Sequence, residues 1–264
     1  MDQPLGSKTL YLFHVPMLPL DTDTRRGRVP GMTADAHDTP GTESGMYEER
    51  HPDSPDVECV WQARATRDER YLTPAVEYWD LWFARQPDGE QAAGLAGPAL
   101  GHRWISSTVG EHSWGVQLKA HVVVPGVSKR LLLGGEQRLT VEDQHVTIGR
   151  HRVAFPEYDE LEAFVEQLLE LGFLHSDDVV RRMLSGENTG YSERHRQRRV
   201  RAATGLTGKQ IAQLARAREA FELLLRGVPP AECAARCGFA DQAHLTRSLS
   251  AFHGQTPARV LAGR

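Results

Sequence analysis

The chain has 264 residues, with 31 Lys+Arg against 35 Asp+Glu and a formal net charge of -4. Hydrophobic residues make up 40% and charged residues 25%, the balance of a soluble globular protein of one or two domains. These figures exclude a collagen, a disulfide-stapled mini-protein and a wholly disordered chain. Three cysteines leave at least one thiol free, which favours a reducing compartment. No apolar run approaches the ~20 residues that cross a bilayer, and the first residues make a poor signal peptide. The expectation is a cytoplasmic protein with no membrane partner.

In chain order, residues 21–45 hold abundant Thr, Asp, Gly and Pro and almost no large apolar side chain. They predict that residues 1–45 form a disordered extension, with Met46 as an alternative start. From 46 to 155 the texture is that of short strands broken by Gly, Pro and Asp. Strands are expected at Val57–Trp61, Glu77–Phe83, Ser113–Lys119 and Val146–Gly149, with a turn at Gln86-Pro87-Asp88-Gly89. All five tryptophans lie in this stretch. Alternation separates Tyr78 and Trp82 from Trp79 and Phe83, so one pair packs the core and the other meets a cavity or an interface. Trp61, Trp79, Trp82, Trp104 and Trp114 are therefore candidates for lining an effector pocket, with core packing as the competing role.

A linker helix is expected over 156–175. Leu161, Phe164, Val165, Leu168, Leu169 and Leu171 recur at helical spacing, Asp159 is placed to cap them, and Gly172 to stop them. From there to the end every segment reads as helix. Breaks are expected at Ser185-Gly186, Thr204-Gly205, Gly227 to Pro230, Gly238 and Gly254. Charge divides at the same place: residues 176–264 carry 15 Lys+Arg and 8 Asp+Glu, a net of +7, which leaves -11 for the residues before them. An acidic front and a basic back is the asymmetry expected when one end meets a polyanion.

The most informative segment is 229–260. Pro230 suits the first turn of a short helix, Gly238 permits a left-handed corner, and Asp241 can cap a second helix reaching about His253. Leu245, Leu249 and Phe252 form one buried stripe. Gln242, Ala243, Thr246 and Arg247 lie opposite, at the N-terminal end, as in a helix that enters a major groove with its first turns. Periodicity alone fits a buried helical hairpin equally well.

These residues resemble the AraC/XylS family of transcription regulators. Its second helix-turn-helix pattern is matched by Gly238-Phe239, Asp241-Gln242-Ala243-His244-Leu245-Thr246-Arg247 and Gly254-Gln255-Thr256-Pro257. Residues 191–227 resemble the first unit and its connecting helix. There Ser192 is the cap, Thr204-Gly205-Leu206-Thr207 the turn, and Ile211, Leu214, Arg218, Phe221 and Leu225 the buried side of the connector. The resemblance implies that Arg194, Gln197 and Arg198 reach bases or phosphates in one groove, and Gln242, His244, Thr246 and Arg247 in the next. Two departures stand out. Arg196 and Arg201 occupy positions expected to be apolar, and Ser185-Gly186 interrupts the scaffold helix. The five arginines between Arg194 and Arg201 then act as phosphate clamps or form a solvated charged face.

Met46-Tyr47-Glu48-Glu49-Arg50, Pro52-Asp53-Ser54-Pro55 and Val57-Glu58-Cys59-Val60-Trp61 resemble the opening of a largely actinobacterial subgroup of the same family. That likeness implies a β-rich sensing or dimerising domain over 46–155, ahead of a DNA-binding domain over 176–264. The expected fold class is α+β: a β-rich N-terminal domain and an all-α part with two helix-turn-helix units. Expected partners are double-stranded DNA, a small-molecule effector and a second copy as homodimer, with no cofactor and no catalytic role.

The competing reading is a cupin-like metal-dependent enzyme or ligand-binding protein with a helical appendage. It rests on His102, His112 and His121 near Glu111, but the chain lacks the His-x-His pair that turns two ligands toward one metal. Cys233 and Cys237 supply only half a structural zinc site and read better as small packing residues.

Overall fold

A computed structural model describes residues 46–127 and 132–263; the extension expected over 1–45 lies outside them. The first half is strands. They are β1 (Met46–Arg50), β2 (Val57–Arg64), β3 (Glu69–Thr73), β4 (Trp79–Arg85), β5 (Gln91–Ala96) and β6 (Arg103–Ser107). β7 (His112–Leu118), β8 (Val122–Val123), β9 (Glu136–Glu142), β10 (His145–Ile148) and β11 (His151–Ala154) follow. Eight of them build an antiparallel sheet in the order β1-β2-β7-β4-β5-β9-β10-β11, and β3 pairs with β6 as a separate ribbon. Each expected strand is present, and the turn after β4 closes with the Gly89 N–H donating to Gln86 O at 2.9 Å.

Alternation decides the two faces of the sheet. Trp79, Leu81 and Phe83 of β4 point inward with Trp114, Val116 and Leu118 of β7, and all six are fully buried. Phe83 meets Phe155 and Phe164 edge-on at 5.3 and 5.6 Å, which seats α1 (Leu161–Glu170) on this face. Leu161, Phe164, Val165 and Leu168 of α1 are its buried stripe. Burying one such side chain contributes roughly 1.5–3 kcal/mol, so this face dominates the stability of the front of the molecule.

The opposite face is carpeted with glycine. Trp61 lies over Gly115, where a Cβ would fall 2.7 Å from its ring, and Trp82 lies over Gly94, where a Cβ would fall 2.5 Å away. Arg138 covers Trp82 at 4.4 Å from the ring centre. The tryptophans therefore do not line one pocket, contrary to expectation. Trp79 and Trp114 are core, Trp61 and Trp82 lie flat on the other side, and Trp104 is exposed on the separate ribbon. A period of two sends neighbouring side chains to opposite faces, so sequence proximity could not gather them.

Two local expectations fail in the linker. A 3-10 turn (Tyr158–Glu160) precedes α1, and the Glu157 N–H donates to the Glu160 carboxylate at 3.0 Å, so Asp159 is not the cap. Nor is everything after Gly172 helical: β12 (His175–Ser176) pairs antiparallel with β8. The second half is otherwise helix: α2 (Asp178–Leu184), α3 (Glu193–Thr204), α4 (Gly208–Leu225), α5 (Pro230–Arg236), α6 (Gln242–His253) and α7 (Pro257–Ala262). Its core gathers Phe221 and Leu224 of α4, Cys233 and Ala234 of α5, Leu245 and Leu249 of α6, and Val260 of α7. No described helix is long and apolar enough to cross a membrane.

Candidate nucleic-acid interface

The first helical pair is short. Asp177 caps α2 by accepting from the Val180 N–H at 3.0 Å, and the helix ends at Leu184, where Ser185-Gly186 interrupts it. Ser192 caps α3, accepting from the His195 N–H at 3.4 Å, and Tyr191 stacks on His195 at 4.5 Å. Gly205, in the left-handed region at φ 73°, closes α3 by donating to Arg201 O.

The five arginines divide by role. Arg196 turns inward and donates to Met183 O and Glu187 O at 3.2 and 3.3 Å, tying α3 to the carbonyls at the end of α2. Arg199 pairs with the Asp177 carboxylate at 3.1 Å, so that one carboxylate both caps α2 and holds α3. Arg194, Arg198 and Arg201 are exposed, and among the described residues no ion pair engages them. The apolar role expected at position 196 is met by a guanidinium bonded to a helix terminus. Position 201 points to solvent instead. Gln197 is exposed and bonds Glu193 at 2.8 Å, one turn back.

The second pair is better packed. Pro230 opens α5, and Gly238 turns the chain at φ 69°. Asp241 then caps α6, its carboxylate accepting from the His244 N–H at 2.6 Å. Leu245 and Leu249 are fully buried beneath. Gln242, Ala243 and Arg247 stand exposed on the first turns, with no ion pair at Arg247 among the described residues. Thr246 spends its hydroxyl on Gln242 O at 2.9 Å. His244 is half-buried: its ring sits edge-on to Phe239 at 5.3 Å, and Nδ1 accepts from the Ala240 N–H at 3.4 Å. That histidine holds the turn together, a role its spacing alone did not separate from base reading.

Joining the two pairs is α4, 18 residues long and so about 27 Å. Thr207 caps it, accepting from the Gln210 N–H at 3.2 Å while Gln210 accepts from the Thr207 N–H at 2.8 Å. Two helix-turn-helix pairs on one rigid connector, each with free arginines on its second helix, are the geometry of a double DNA reader. The sequence agrees: residues 186–263 match the model of a family described as "Helix-turn-helix domain". Residues 186–263 are an AraC-type helix-turn-helix domain. That segment is the DNA-binding part of the chain.

Among solved structures, the chain is similar to ToxT from Vibrio cholerae. The identity is 8% and the TM-score 0.43, over 82% of this chain and 98% of that one. It is also similar to ToxT from Vibrio cholerae O395 bound to (E)-4-(8-methylnaphthalen-1-yl)but-3-enoic acid, at 9% identity and a TM-score of 0.39, over 82% and 98%. A search of curated proteins by sequence finds no match.

The histidines of the competing reading do not converge. His121 Nε2 bonds the Asp56 carboxylate at 3.1 Å, His112 Nε2 bonds Gln62 at 3.0 Å, and His102 Nδ1 donates to Ala251 O at 3.1 Å. Burial lowers the proton affinity of both His112 and His121, though Asp56 pulls His121 back up. Among the described residues no three His, Cys, Asp or Glu side chains are placed to hold a metal ion. Cys233 and Cys237 are buried in the helical core, and burial pushes both thiols up, so they sit there as neutral packing groups.

Proposed function

We propose that the two units enter successive major grooves on one face of duplex DNA, within a chain divided at 1–45, 46–155, 156–175 and 176–264. The observation that carries this reading is the split among the arginines. Arg196 and Arg199 serve the fold, while Arg194, Arg198, Arg201 and Arg247 are left exposed on the two reading helices. Gln242, Ala243 and Arg247 present the short and forked groups suited to base edges, and Arg247 is the candidate for a bidentate contact to guanine. Arg194, Gln197 and Arg198 take the neighbouring groove, with Arg201 on phosphate. Thr246, on the same face as Gln242 and Arg247, and His244 at the turn complete the set that reaches bases or adjacent phosphates. Strands β1 to β11 form the sensing or dimerising part, and this reading assigns the chain no catalytic step.

Selecting bound duplexes from a random pool tests it directly. The expected result is two short conserved blocks one helical turn apart. Arg247→Ala should weaken the selected site by ~1–3 kcal/mol and relax one base position. A selected set with a single block, or none, would overturn the two-groove arrangement.

A further inference from the structure

The end of α6 is held by the β-rich half. A helix leaves its last four carbonyls without partners inside the helix, and those of α6 run from residue 250 to residue 253. Where α3 closes on the N–H of its own Gly205, two carbonyls of α6 take donors from the other half of the molecule. The Ala75 N–H donates to Phe252 O at 2.7 Å. Ala251 O accepts twice from His102, from its backbone N–H at 3.4 Å and from ring Nδ1 at 3.1 Å. Gly254, which ends the helix at φ 67°, brings the two halves together: a Cβ there would fall 2.5 Å from Leu72 and 3.1 Å from the His102 ring.

The grip extends beyond the helix end. Ala75 joins Leu206 and Leu214 in an apolar seam that Leu100, Ile211 and Phe252 complete. One turn further along α4, Arg218 reaches into the β-rich half, donating to the Glu77 carboxylate and to the Tyr78 hydroxyl with its guanidinium 4.8 Å over the Tyr78 ring. The connector and the second reading helix are thus fixed to the same surface. Gln242 and Ala243 lie at the other end of α6, about 15 Å from that surface.

We propose that the β-rich half is the C-terminal cap of the second reading helix, and that His102 is a positioning residue for DNA specificity. Its hydrogen bond and its contact with Gly254 set the axial position and tilt of α6. The first turn then presents Gln242 and Arg247 to base edges in register. Base contacts demand that register, whereas phosphate attraction tolerates its loss. The proposal rests on the reading of α6 as a groove-entering helix.

The test uses the full chain, a duplex selected from a random pool and a random-sequence duplex at one salt concentration. His102→Ala should lower the ratio of selected to random affinity about two- to tenfold, the scale of one hydrogen bond, with random binding unchanged. His102→Asn, whose amide can donate to Ala251 O, should restore it. Leu72→Ala, which loosens the contact with Gly254, should move the ratio the same way. An unchanged ratio in His102→Ala overturns the proposal, as does a fall that Asn does not restore. If the wild-type chain shows no preference for any selected duplex, the DNA-reading arrangement itself fails, a result distinct from either.

Discussion

The two helix-turn-helix units share a layout and differ in what holds them. The second is packed: Cys233, Ala234, Cys237, Phe239, Leu245, Leu249 and Val260 share a buried core with α4. The first is tied by polar side chains as well as by a smaller buried apolar set, Val180 and Met183 of α2 and Val200 and Ala203 of α3. Arg196 closes the end of α2 and Arg199 shares Asp177 with the cap. An apolar core is insensitive to salt, whereas a partly exposed ion pair weakens as salt rises. Two units on one connector can therefore respond differently to ionic conditions, with the packed unit as the constant one.

The largest effect is expected where the connector meets the β-rich half. Glu77 is buried, its second carboxylate oxygen has no hydrogen-bond partner, and among the described residues Arg218 is the cation paired with it. Arg218→Ala should cost about 3–5 kcal/mol of unfolding free energy, read from chemical denaturation, because it strands that charge. Leu249→Ala should cost about 2–5 kcal/mol and loosen the second unit before the first. A first unit that loosens with it would erase the contrast between them. Asp177→Ala removes a cap worth ~0.5–2 kcal/mol along with the Arg199 pair. Faster amide exchange should then be confined to α2 and α3, and in the wild type raising the salt should mimic it there and leave α6 unchanged.

Acidity divides the molecule in a second way. His253 is buried against Phe221 at 4.4 Å, and burial, with Arg218 and His102 nearby, pushes its pKa down to about 3. The unfolded chain protonates this ring below about 6.5 while the native one does not. Its stabilising share is therefore complete above 6.5 and lost as pH falls toward 3. Asp80, on the glycine-carpeted face, has the opposite slope. Burial raises its carboxyl to about 7, against the Trp61 Nε1–H that donates to it at 3.2 Å. Native Asp80 keeps its proton after the unfolded chain has released it, so stability is lost as pH climbs from about 4 to 7. The two slopes oppose each other between about 4 and 6.5. His253→Gln should expose the Asp80 slope, with melting temperature falling as pH rises; a rise instead would reverse the assignment. The smallest effect is expected at Arg201, where Ala should weaken all duplexes alike and reduce the salt slope by about 1.

Much of the helical half was legible because its signals are local. Asp241 and Ser192 are caps, Gly205, Gly238 and Gly254 are left-handed ends, and Leu245 and Leu249 share a stripe. Each depends on a few neighbouring residues, and four of the strands, β2, β4, β7 and β10, were legible in the same way. The failures were of two kinds. Asp159 lost its capping role to a 3-10 turn one residue earlier, and His175–Ser176 became a strand only because β8 lies beside it. The tryptophans and the arginines could not be sorted, because their roles depend on which face or which neighbour each meets.

By itself, then, the sequence determined the passage from strands to helices, the break between an acidic and a basic half, and where the two helix-turn-helix units lie. Those properties follow from periodicity, caps and charge along the chain. Only the tertiary structure decided which arginines are free, where Arg218 anchors, and that His102 and Ala75 close a helix well over a hundred residues away. Hydrogen-bond partners for helix ends and buried charges are recruited from whatever packs beside them, and nothing local in the chain announces what that will be.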